Sequence, residues 1–346
     1  MKALVKYEMR PHAVELRDVP MPTPGPGQLR VKVEYAGICG SDIHIYENSI
    51  AITTRPPVVI GHEFSGVVDQ VGEGVEGWKP GDRIVAEAVY HRCGVCKYCR
   101  MGNYNLCLDK LSFGYVYNGC FERYTIVEDY NAHHLPDDID LVSGAMIEPM
   151  ACVARGIYDN CHLEAGFTVL VIGPGPIGLM AAQIAKAEGC EVIVTGTGAD
   201  AERLELAKQL GIHHTVNIEK ENLREVVDSL TDGYGVDVVL ECSGSQAGIN
   251  SGLEMVRKCG WYTLIALAGK PVTFDIETIN YKELHFSGSI ASTYSNWEKC
   301  LSLLRLGLVQ LKPLATGIYK LDDWQQAFQD MKDKKGLKLL FKPEDE

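Results

Sequence analysis

The stretch TVLVIGPGPIG, residues 168–178, decides the architecture of the chain. Its first five residues form a continuous apolar run, which is typical of a strand buried inside a parallel sheet. The run leads directly into G-x-G-x-x-G and then into a helix pattern over residues 179–188. Glycines in this position let the backbone approach a pyrophosphate at the helix N-terminus. We therefore predict that a dinucleotide cofactor contacts Gly173, Gly175, Pro176, Ile177 and Gly178.

The sequence on either side of this unit predicts two different kinds of domain. Downstream, strand patterns alternate with helix patterns, which indicates a doubly wound parallel sheet of the Rossmann type. Upstream, residues 1–35 contain short alternating strands, and the turn PTPGPG at residues 22–27 separates two of them. The chain is therefore predicted to be α/β, with a β-rich first domain. The downstream strand patterns lie at residues 191–195, 236–242, 260–267 and 284–289.

The end of the second Rossmann strand bears on the choice of cofactor. NAD-binding units usually place an acid there for the ribose hydroxyls, but this chain has Gly196. Thr197 offers a hydroxyl, Arg203 offers a cation, and the backbone of residues 196–198 can turn its N–H groups toward an anion. These features slightly favour NADP. In the alternative interpretation Asp200 reaches the ribose from the following loop, and NAD is preferred.

Four cysteines share the spacing C-x2-C-x2-C-x7-C. Thiolates at this spacing close a tetrahedral zinc site that has no open position. A disulfide is the competing interpretation, but it is unfavourable in a reducing compartment, and no thioredoxin-like pattern supports a redox pair. We predict a structural zinc site at Cys93, Cys96, Cys99 and Cys107.

A second metal site is predicted around GHEFSG, residues 61–66. His62 and Glu63 offer an imidazole and a carboxylate, Cys39 offers a thiolate, and Glu148 offers another carboxylate before Pro149. Cys, His and Glu ligands with one open position are typical of a catalytic zinc. The glycines at positions 61, 66 and 72 are expected to bend the chain tightly between short strands.

Length and composition exclude several classes of function. The chain has 346 residues, 46% hydrophobic residues and a net charge of −13, so we expect two soluble domains and neither nucleic acid nor membrane as a partner. This acidic balance also argues against a zinc-ribbon nucleic-acid binder. With no signal-peptide or membrane-spanning pattern, the twelve cysteines are expected to be reduced and the protein cytoplasmic. The pairs His133-His134 and His213-His214 are expected on the surface or in loops.

These motifs together resemble the zinc-containing medium-chain alcohol dehydrogenases, in the branch of polyol (sorbitol and galactitol-phosphate type) and threonine dehydrogenases. The resemblance covers essentially the whole chain. It implies a GroES-like β-rich catalytic domain at residues 1–154 and 293–346, and a Rossmann domain at residues 155–292. It further implies two zinc ions per chain, one catalytic and one structural, and a homo-oligomer, either a dimer or a tetramer. Ser41 and His44 occupy the positions of the family's proton relay, and Glu63 joins them as a catalytic candidate.

The resemblance implies hydride transfer between NAD(P) and a secondary alcohol: a polyol, a sugar alcohol or its phosphate. Two alternatives remain open: an L-threonine 3-dehydrogenase, which the stretch CGSDIHIYE at residues 39–47 favours, and a non-catalytic NAD(P)-binding protein on the same fold. Sorbitol-type relatives carry an Arg-Tyr pair after the sixth Rossmann strand. This chain has ASTYS at residues 291–295, without an arginine, which argues against sorbitol itself.

Overall fold

A computed structural model describes residues 1–49 and 52–344. Within these residues the chain forms eighteen β-strands. In chain order they are β1 (Lys2–Lys6), β2 (Val14–Asp18), β3 (Gln28–Gly37), β4 (Val58–Val59), β5 (Glu63–Val71), β6 (Arg83–Ala86), β7 (Val89–His91), β8 (Leu111–Ser112), β9 (Tyr124–Glu128), β10 (Ala132–His134), β11 (Thr168–Ile172), β12 (Glu191–Gly196), β13 (His214–Asn217), β14 (Val236–Glu241), β15 (Val256–Leu264), β16 (His285–Gly288), β17 (Ala315–Tyr319) and β18 (Lys338–Phe341).

The same described residues form eleven α-helices, none longer than twelve residues. No helix among them is long and apolar enough to cross a lipid bilayer. The helices are α1 (Gly40–Tyr46), α2 (Lys97–Arg100), α3 (Leu141–Gly144), α4 (Ile147–Tyr158), α5 (Pro176–Ala187), α6 (Ala201–Gln209), α7 (Leu223–Thr231), α8 (Gln246–Met255), α9 (Glu277–Tyr281), α10 (Tyr294–Arg305) and α11 (Trp324–Lys332).

The chain divides into two compact units. The first comprises Met1–Glu148, Thr293–Trp297 and Leu311–Glu346, and the second comprises Pro149–Ser292 and Glu298–Gln310. Helices α4 and α10 therefore each begin in the first unit and end in the second. The division by contacts thus falls within α4 at 148/149, whereas the sequence-based boundary lies at 154/155 in the same helix.

The first unit is built from three sheets, of which the largest has seven strands. Its order is β10-β6-β5-β3-β18-β17, and β9 pairs with β3 as well. Strand β3 alternates inward and outward side chains over most of its length, and Leu29, Val31 and Val33 are fully buried. The C-terminal strand β18 pairs with β3, which carries the end of the chain beside the segment that precedes Cys39.

The second unit contains the predicted doubly wound sheet, and the α/β prediction is confirmed. Six strands lie in the order β13-β12-β11-β14-β15-β16, and every pair is parallel. All five residues of β11 are buried, as expected for the central strand of such a sheet. Strand β13 had no sequence-based prediction, because its four residues, HTVN, are short and half polar.

Two local expectations were wrong. Gly66 lies within β5 rather than at a bend, and a Cβ there would lie 2.4 Å from the carbonyl oxygen of Lys32 on β3. Its role is close approach of two backbones at an irregularly paired point. His133 is buried rather than exposed, because Trp297 stacks on its ring at 5.1 Å and Glu87 Oε1 lies 3.3 Å from its Nε2.

Candidate metal and cofactor sites

Three of the predicted catalytic-zinc ligands meet in the first unit. Cys39 is the N-cap of α1, while His62 and Glu63 lie at the start of β5. One ligand atom from each lies within 4.8 Å of the other two. The corner at Gly61 has φ +90°, and a Cβ there would lie 2.3 Å from the ring of Phe121. Only glycine fits this corner, which holds the imidazole and the carboxylate in place.

Asp42 contacts two of these ligands, Cys39 and His62, and orients them. Its Oδ2 accepts a hydrogen bond from the backbone N–H of Cys39 at 2.8 Å. Its Oδ1 lies 3.7 Å from His62 Nδ1, and Asp42 is fully buried. The Nδ1 side of the ring faces a carboxylate, so Nε2 is the atom left for a metal, as in carboxylate–histidine–zinc arrangements.

Glu63 has a buried cationic neighbour from the end of the chain. Lys338 Nζ forms an ion pair with Glu63 Oε2 and donates a hydrogen bond to the carbonyl oxygen of Ile38 at 2.9 Å. Both side chains are at least 94% buried. Gly37 faces Glu63 across the β3–β5 pair, and a Cβ at Gly37 would lie 2.2 Å from Glu63 Oε2. The missing side chain at Gly37 makes room for the carboxylate.

The chemistry of this cluster fits a divalent cation. Among the described residues, the buried Glu63 Oε1 atom has no hydrogen-bond partner and remains available to a metal. Burial lowers the pKa of His62, but Tyr115 and Asp42 raise it by more, so the net pKa lies well above its ordinary value. The surroundings therefore favour positive charge. A Cys39 thiolate with the Asp42 and Glu63 carboxylates, set against the Lys338 ammonium, leaves two negative charges that a zinc ion would neutralise.

Glu148 and the two relay residues, Ser41 and His44, do not belong to the group of three neighbouring ligands. Glu148 lies on α4, and among the described residues it does not belong to the group whose ligand atoms lie within 4.8 Å of one another. Ser41 and His44 lie one turn apart on α1. Ser41 Oγ accepts a hydrogen bond from Tyr115 at 2.8 Å, and the Nδ1 atom of the exposed His44 lies 3.1 Å from Ser49 Oγ.

The four clustered cysteines also come together. Cys93 Sγ lies 4.0 Å from Cys99 Sγ and 3.6 Å from Cys107 Sγ, close to the edge of about 3.8 Å expected for a ZnS₄ tetrahedron. The backbone N–H of Cys99 lowers the pKa of Cys96 to about 6, whereas burial and neighbouring thiols raise that of Cys99 to about 12. Four thiolates so close together repel one another, and a divalent cation removes that repulsion. The site fits a closed zinc.

The second unit presents the geometry of a dinucleotide site. Gly173 has φ +96°, and a Cβ at Gly178 would lie 1.9 Å from the carbonyl oxygen of Gly173. Pro176 and Ile177 open α5, whose N-cap is Gly175, and no side chain caps its first turn. The N–H groups and the partial positive charge at the start of this twelve-residue helix fit a pyrophosphate.

The segment after β12 is more constrained than its sequence indicated. Gly196 ends the strand, and a Cβ there would lie 2.9 Å from Pro174 Cγ and 3.0 Å from Asp200 Cβ. Thr197 and Asp200 form a capping box, and Arg203 Nη1 lies 3.5 Å from Asp200 Oδ1. An acidic residue at position 196 would therefore crowd its neighbours, which explains why the usual acid is missing there.

Four residues close to these sites were missed by sequence reasoning. Asp42 and Lys338 touch the Cys39 cluster, Tyr115 bonds to Ser41, and Glu219 bonds to the segment after β12. Asp42 was within reach, because an acid three residues after the N-cap is a capping-box signal. Lys338, Tyr115 and Glu219 carry no local signal: Lys338 reaches its site through strand pairing, and Tyr115 and Glu219 reach theirs from turns that tertiary structure positions.

Comparison with known proteins agrees with this geometry. The alcohol dehydrogenase GroES-like domain matches residues 25–137, and the zinc-binding dehydrogenase family matches residues 176–305. A sorbitol dehydrogenase from Halalkalibacterium halodurans is 42% identical over 100% of both chains. A D-arabitol-phosphate dehydrogenase from Enterococcus avium is 39% identical over 93% of this chain and 92% of that protein.

More distant relatives share the full length of the fold. An L-threonine 3-dehydrogenase from Bacillus velezensis is 35% identical over 99% of both chains. The crystal structure of a zinc-binding dehydrogenase from Sinorhizobium meliloti, bound to NADP, superimposes with a TM-score of 0.89, 30% identity and 99% coverage of both chains. With a GroES-like first unit, a Rossmann second unit and full-length relatives above 30% identity, the chain belongs to the zinc-containing medium-chain alcohol dehydrogenases, a family of NAD(P)-dependent enzymes.

Proposed function

We propose that this enzyme transfers a hydride between NAD(P) and a secondary alcohol that is a polyol, a sugar alcohol or its phosphate. The observation that carries the proposal is the cluster of Cys39, His62 and Glu63, whose ligand atoms lie within 4.8 Å of one another and whose free Glu63 Oε1 and net negative charge suit zinc with an open position. The relatives named for sorbitol and D-arabitol phosphate support a polyol substrate.

In the proposed reaction, different residues bind the metal and transfer the proton. A bound zinc ion would polarise the substrate hydroxyl and lower its pKa, and a bound NAD(P) would accept the hydride. Cys39, His62 and Glu63 would hold the metal, and Asp42 fixes the imidazole. Ser41 Oγ, already bonded to Tyr115, receives the proton of the substrate hydroxyl. His44, one turn further along α1, passes it to solvent, since its side chain is exposed.

Several finer features belong to the same proposal. Glu148 supplies a further carboxylate ligand, and Glu63 acts in catalysis as well as in metal binding. The chain holds two zinc ions, the second at the four clustered cysteines. The catalytic domain spans residues 1–154 and 293–346, and the Rossmann domain spans 155–292. The enzyme works in the cytoplasm as a dimer or tetramer.

A substrate panel tests the proposal. The zinc-loaded enzyme is assayed by reduced-cofactor absorbance with polyols, their phosphates, L-threonine and simple secondary alcohols, each with NAD and NADP. We expect a polyol or polyol phosphate to give the highest kcat/KM. Turnover of L-threonine alone would replace the proposal with the threonine dehydrogenase alternative. Full activity in protein stripped of zinc would contradict the mechanism altogether.

The sequence slightly favoured NADP because backbone N–H groups after β12 were expected to be open to an anion. Two of these, the N–H groups of Thr197 and Gly198, donate to carboxylates of the protein itself. These bonds remove the main reason to favour NADP, so the proposal names NAD(P) as the cofactor.

The proton relay has its own test. His44→Ala should slow alcohol oxidation by about 10²-fold, the lower end of what general acid–base catalysis contributes, and most strongly below neutral pH. Added imidazole should restore part of the rate, because it can accept the proton that His44 passes on. The neighbouring surface histidine His12 provides the control variant His12→Ala. Equal effects of the two substitutions would return His44 to the role of a surface residue.

A further inference from the structure

Two carboxylates occupy the segment where the sequence led us to expect a phosphate. The Thr197 N–H donates to Asp200 Oδ2 at 3.0 Å, and the Gly198 N–H donates to Glu219 Oε2 at 2.9 Å. In Rossmann units the adenosine ribose lies at the end of the second strand, where an acid bonds its hydroxyls. That strand is β12 here, and it ends at Gly196. The carboxylates therefore lie at the place where NAD and NADP differ.

Glu219 is held in position by the neighbouring strand. Strand β13 runs parallel to β12 with Asn217 opposite Gly196, and the N–H of Ile218 donates to the Gly196 carbonyl oxygen at 3.0 Å. The Glu219 N–H in turn donates to Asn217 Oδ1 at 3.1 Å. These bonds place the Glu219 side chain over the segment that follows β12.

Glycine at position 198 leaves space for the Glu219 carboxylate. A Cβ at Gly198 would lie 2.5 Å from Glu219 Oε2, so any other residue would have to push the carboxylate away. Position 196 has no room for an acid of its own, because of Pro174 and Asp200. Glu219 thus supplies, from the turn after the third strand, the charge that most NAD-binding units carry at the end of the second.

The cations nearby do not offset this charge. Arg203, which the sequence suggested as a phosphate partner, has Asp200 Oδ1 at 3.5 Å from its Nη1. Residues 196–203 and 217–221 together carry four carboxylates and two cations. A 2′-phosphate carries up to two negative charges and would be repelled here, whereas ribose hydroxyls can donate hydrogen bonds to the same carboxylates. The carboxylates are Asp200, Glu202, Glu219 and Glu221, and the cations are Arg203 and Lys220.

We propose that Glu219, assisted by Asp200, makes this enzyme select NAD over NADP. The inference rests on the proposed function and refines it, because it reverses the small preference for NADP that the sequence alone indicated. Glu219 is a specificity-determining residue: it accepts a ribose hydroxyl of NAD and excludes the 2′-phosphate of NADP by charge.

Calorimetric titration of the zinc-loaded protein with NAD⁺ and with NADP⁺ measures this directly, without turnover. Wild type should bind NAD⁺ at least about tenfold more tightly than NADP⁺, which corresponds to about 1.4 kcal/mol. Glu219→Gln keeps an acceptor for the Gly198 N–H and removes only the charge. It should lower the dissociation constant of NADP⁺ about tenfold and change the dissociation constant of NAD⁺ by less than about threefold. Glu219→Lys should reverse the preference.

Two further measurements test whether Glu219 discriminates against NADP⁺ through its charge or through its shape. Glu221→Gln is the matched control, because Glu221 lies in the same turn but its Oε2 accepts the Asn217 N–H at 3.0 Å rather than an N–H of the segment after β12; it should change the ratio of dissociation constants far less than Glu219→Gln does. Discrimination by wild type should weaken as salt rises from 0.05 to 0.5 M, and that salt dependence should be lost in Glu219→Gln.

The possible outcomes are distinct. If wild type binds NADP⁺ as tightly as NAD⁺, or if Glu219→Gln weakens both cofactors equally, the inference is wrong while the dehydrogenase proposal stands. If the protein binds neither dinucleotide, the proposed function fails and this inference fails with it. An unaltered NAD⁺ preference in Glu219→Lys would also overturn the role of Glu219.

Discussion

The two cysteine-containing clusters solve the problem of binding a metal in opposite ways. The closed cluster takes all four ligands from one fifteen-residue segment, Cys93–Cys107, and three of those cysteines are only half-buried. The open cluster takes its ligands from α1 and β5, buries His62 and Glu63, and surrounds them with Asp42 and Lys338. At the first cluster we expect a metal to organise the chain. At the second the chain's own contacts hold the ligands, and we expect the metal to add chemistry.

This difference predicts different consequences when a ligand is lost. A closed, local site adds stability, because its metal fixes a loop whose ordering costs conformational entropy. An open site held by tertiary structure contributes chemistry, and the fold persists without it. Substitution of a ligand should therefore lower turnover at the open cluster and lower stability at the closed cluster.

Cys39→Ser should abolish turnover while leaving the fold intact. Loss of the thiolate removes the anchor of the metal that polarises the substrate, and zinc contributes several kcal/mol to such reactions. We expect kcat/KM to fall by about 10⁴-fold, equivalent to about 5.6 kcal/mol, and the zinc content by one equivalent per chain. Steady-state kinetics and elemental analysis measure these changes, and circular dichroism should show an unaltered fold.

The control for this substitution is Cys259→Ser, which changes an exposed cysteine outside both clusters. It should retain two zinc ions and full activity. A Cys39→Ser protein that keeps two zinc ions would show that Cys39 is not a zinc ligand. A Cys39→Ser protein that unfolds would show that the open cluster also stabilises the fold.

Lys338→Met should destabilise the protein by about 3–5 kcal/mol when zinc is chelated, because it leaves the buried Glu63 carboxylate without its ion pair. Burial lowers the pKa of Lys338, but Glu63 and Cys39 raise it by more, so its net pKa exceeds the ordinary 10.5. A group with a raised pKa contributes its full stabilisation below the unfolded value and loses it only as pH rises through the folded value. The loss on substitution should therefore stay constant between pH 6 and 9 in denaturant titrations.

Zinc should rescue this variant, and the rescue distinguishes an electrostatic role from packing. A zinc ion can balance the Glu63 charge in place of the ammonium, so the loss should shrink markedly in the zinc-loaded protein. Lys332→Met removes an exposed lysine that pairs with Glu47 and should cost less than about 1 kcal/mol with or without zinc. Equal losses for Lys338→Met with and without zinc would indicate that packing alone matters at this position.

Cys99→Ser should act on stability rather than on chemistry. Loss of the closed zinc frees the fifteen residues of Cys93–Cys107, and closing a loop of that length is worth about 3 kcal/mol by chain-entropy estimates. Tyr104 still anchors the segment through its 2.7 Å hydrogen bond to Glu87 Oε2, so the damage should stay local. Limited proteolysis should cut within the segment, and the melting temperature should fall.

Activity per folded molecule should decline far less in Cys99→Ser than in Cys39→Ser. Cys259→Ser again provides the matched control, because the same chemical change there should alter neither proteolysis nor melting. A loss of turnover as large as that of Cys39→Ser, without loss of structure, would mean that the closed cluster takes part in the reaction.

The same contrast separates the features that could be predicted from the sequence from those that could not. The four cysteines of the closed cluster lie close together in the sequence, so C-x2-C-x2-C-x7-C was enough to predict that they would meet, as they do in the structure. The Rossmann unit was predictable for a similar reason, because β11 and the glycines that follow it are contiguous. Both predictions depend only on local geometry.

The surroundings of the open cluster were not predictable, because they come from strand pairing over long distances. Lys338 reaches Glu63 only because β18 and β5 both pair with β3. Glu219 reaches Gly198 only because β13 aligns with β12. A one-residue change of register would turn Lys338 to the other face of its sheet and would shift the turn that carries Glu219, and the local sequence does not specify either register.

The smallest predicted effect concerns Tyr115, which bonds to the proposed proton acceptor without binding the metal. Tyr115 donates to Ser41 Oγ at 2.8 Å and is 4% exposed. Burial raises its pKa well above its ordinary range, so the phenol keeps its proton and remains a donor at every pH at which the enzyme would be assayed. By occupying one lone pair of Ser41 Oγ, the phenol fixes the direction in which that hydroxyl can exchange a proton.

Tyr115→Phe preserves the ring and removes this hydrogen bond. Because a net hydrogen bond is worth about 1 kcal/mol, we expect kcat to fall by up to about tenfold, with KM, zinc content and melting temperature nearly unchanged. Tyr117→Phe, two residues away and half-buried, is the control and should leave kcat intact. If Tyr115→Phe lowers the melting temperature or the zinc content as much as it lowers kcat, the tyrosine supports the metal cluster through its contact with the His62 ring, whose centroid lies 5.3 Å from its own. A selective fall in kcat would instead place Tyr115 with Ser41 in the proton-transfer path, a role for which the closed cluster has no counterpart.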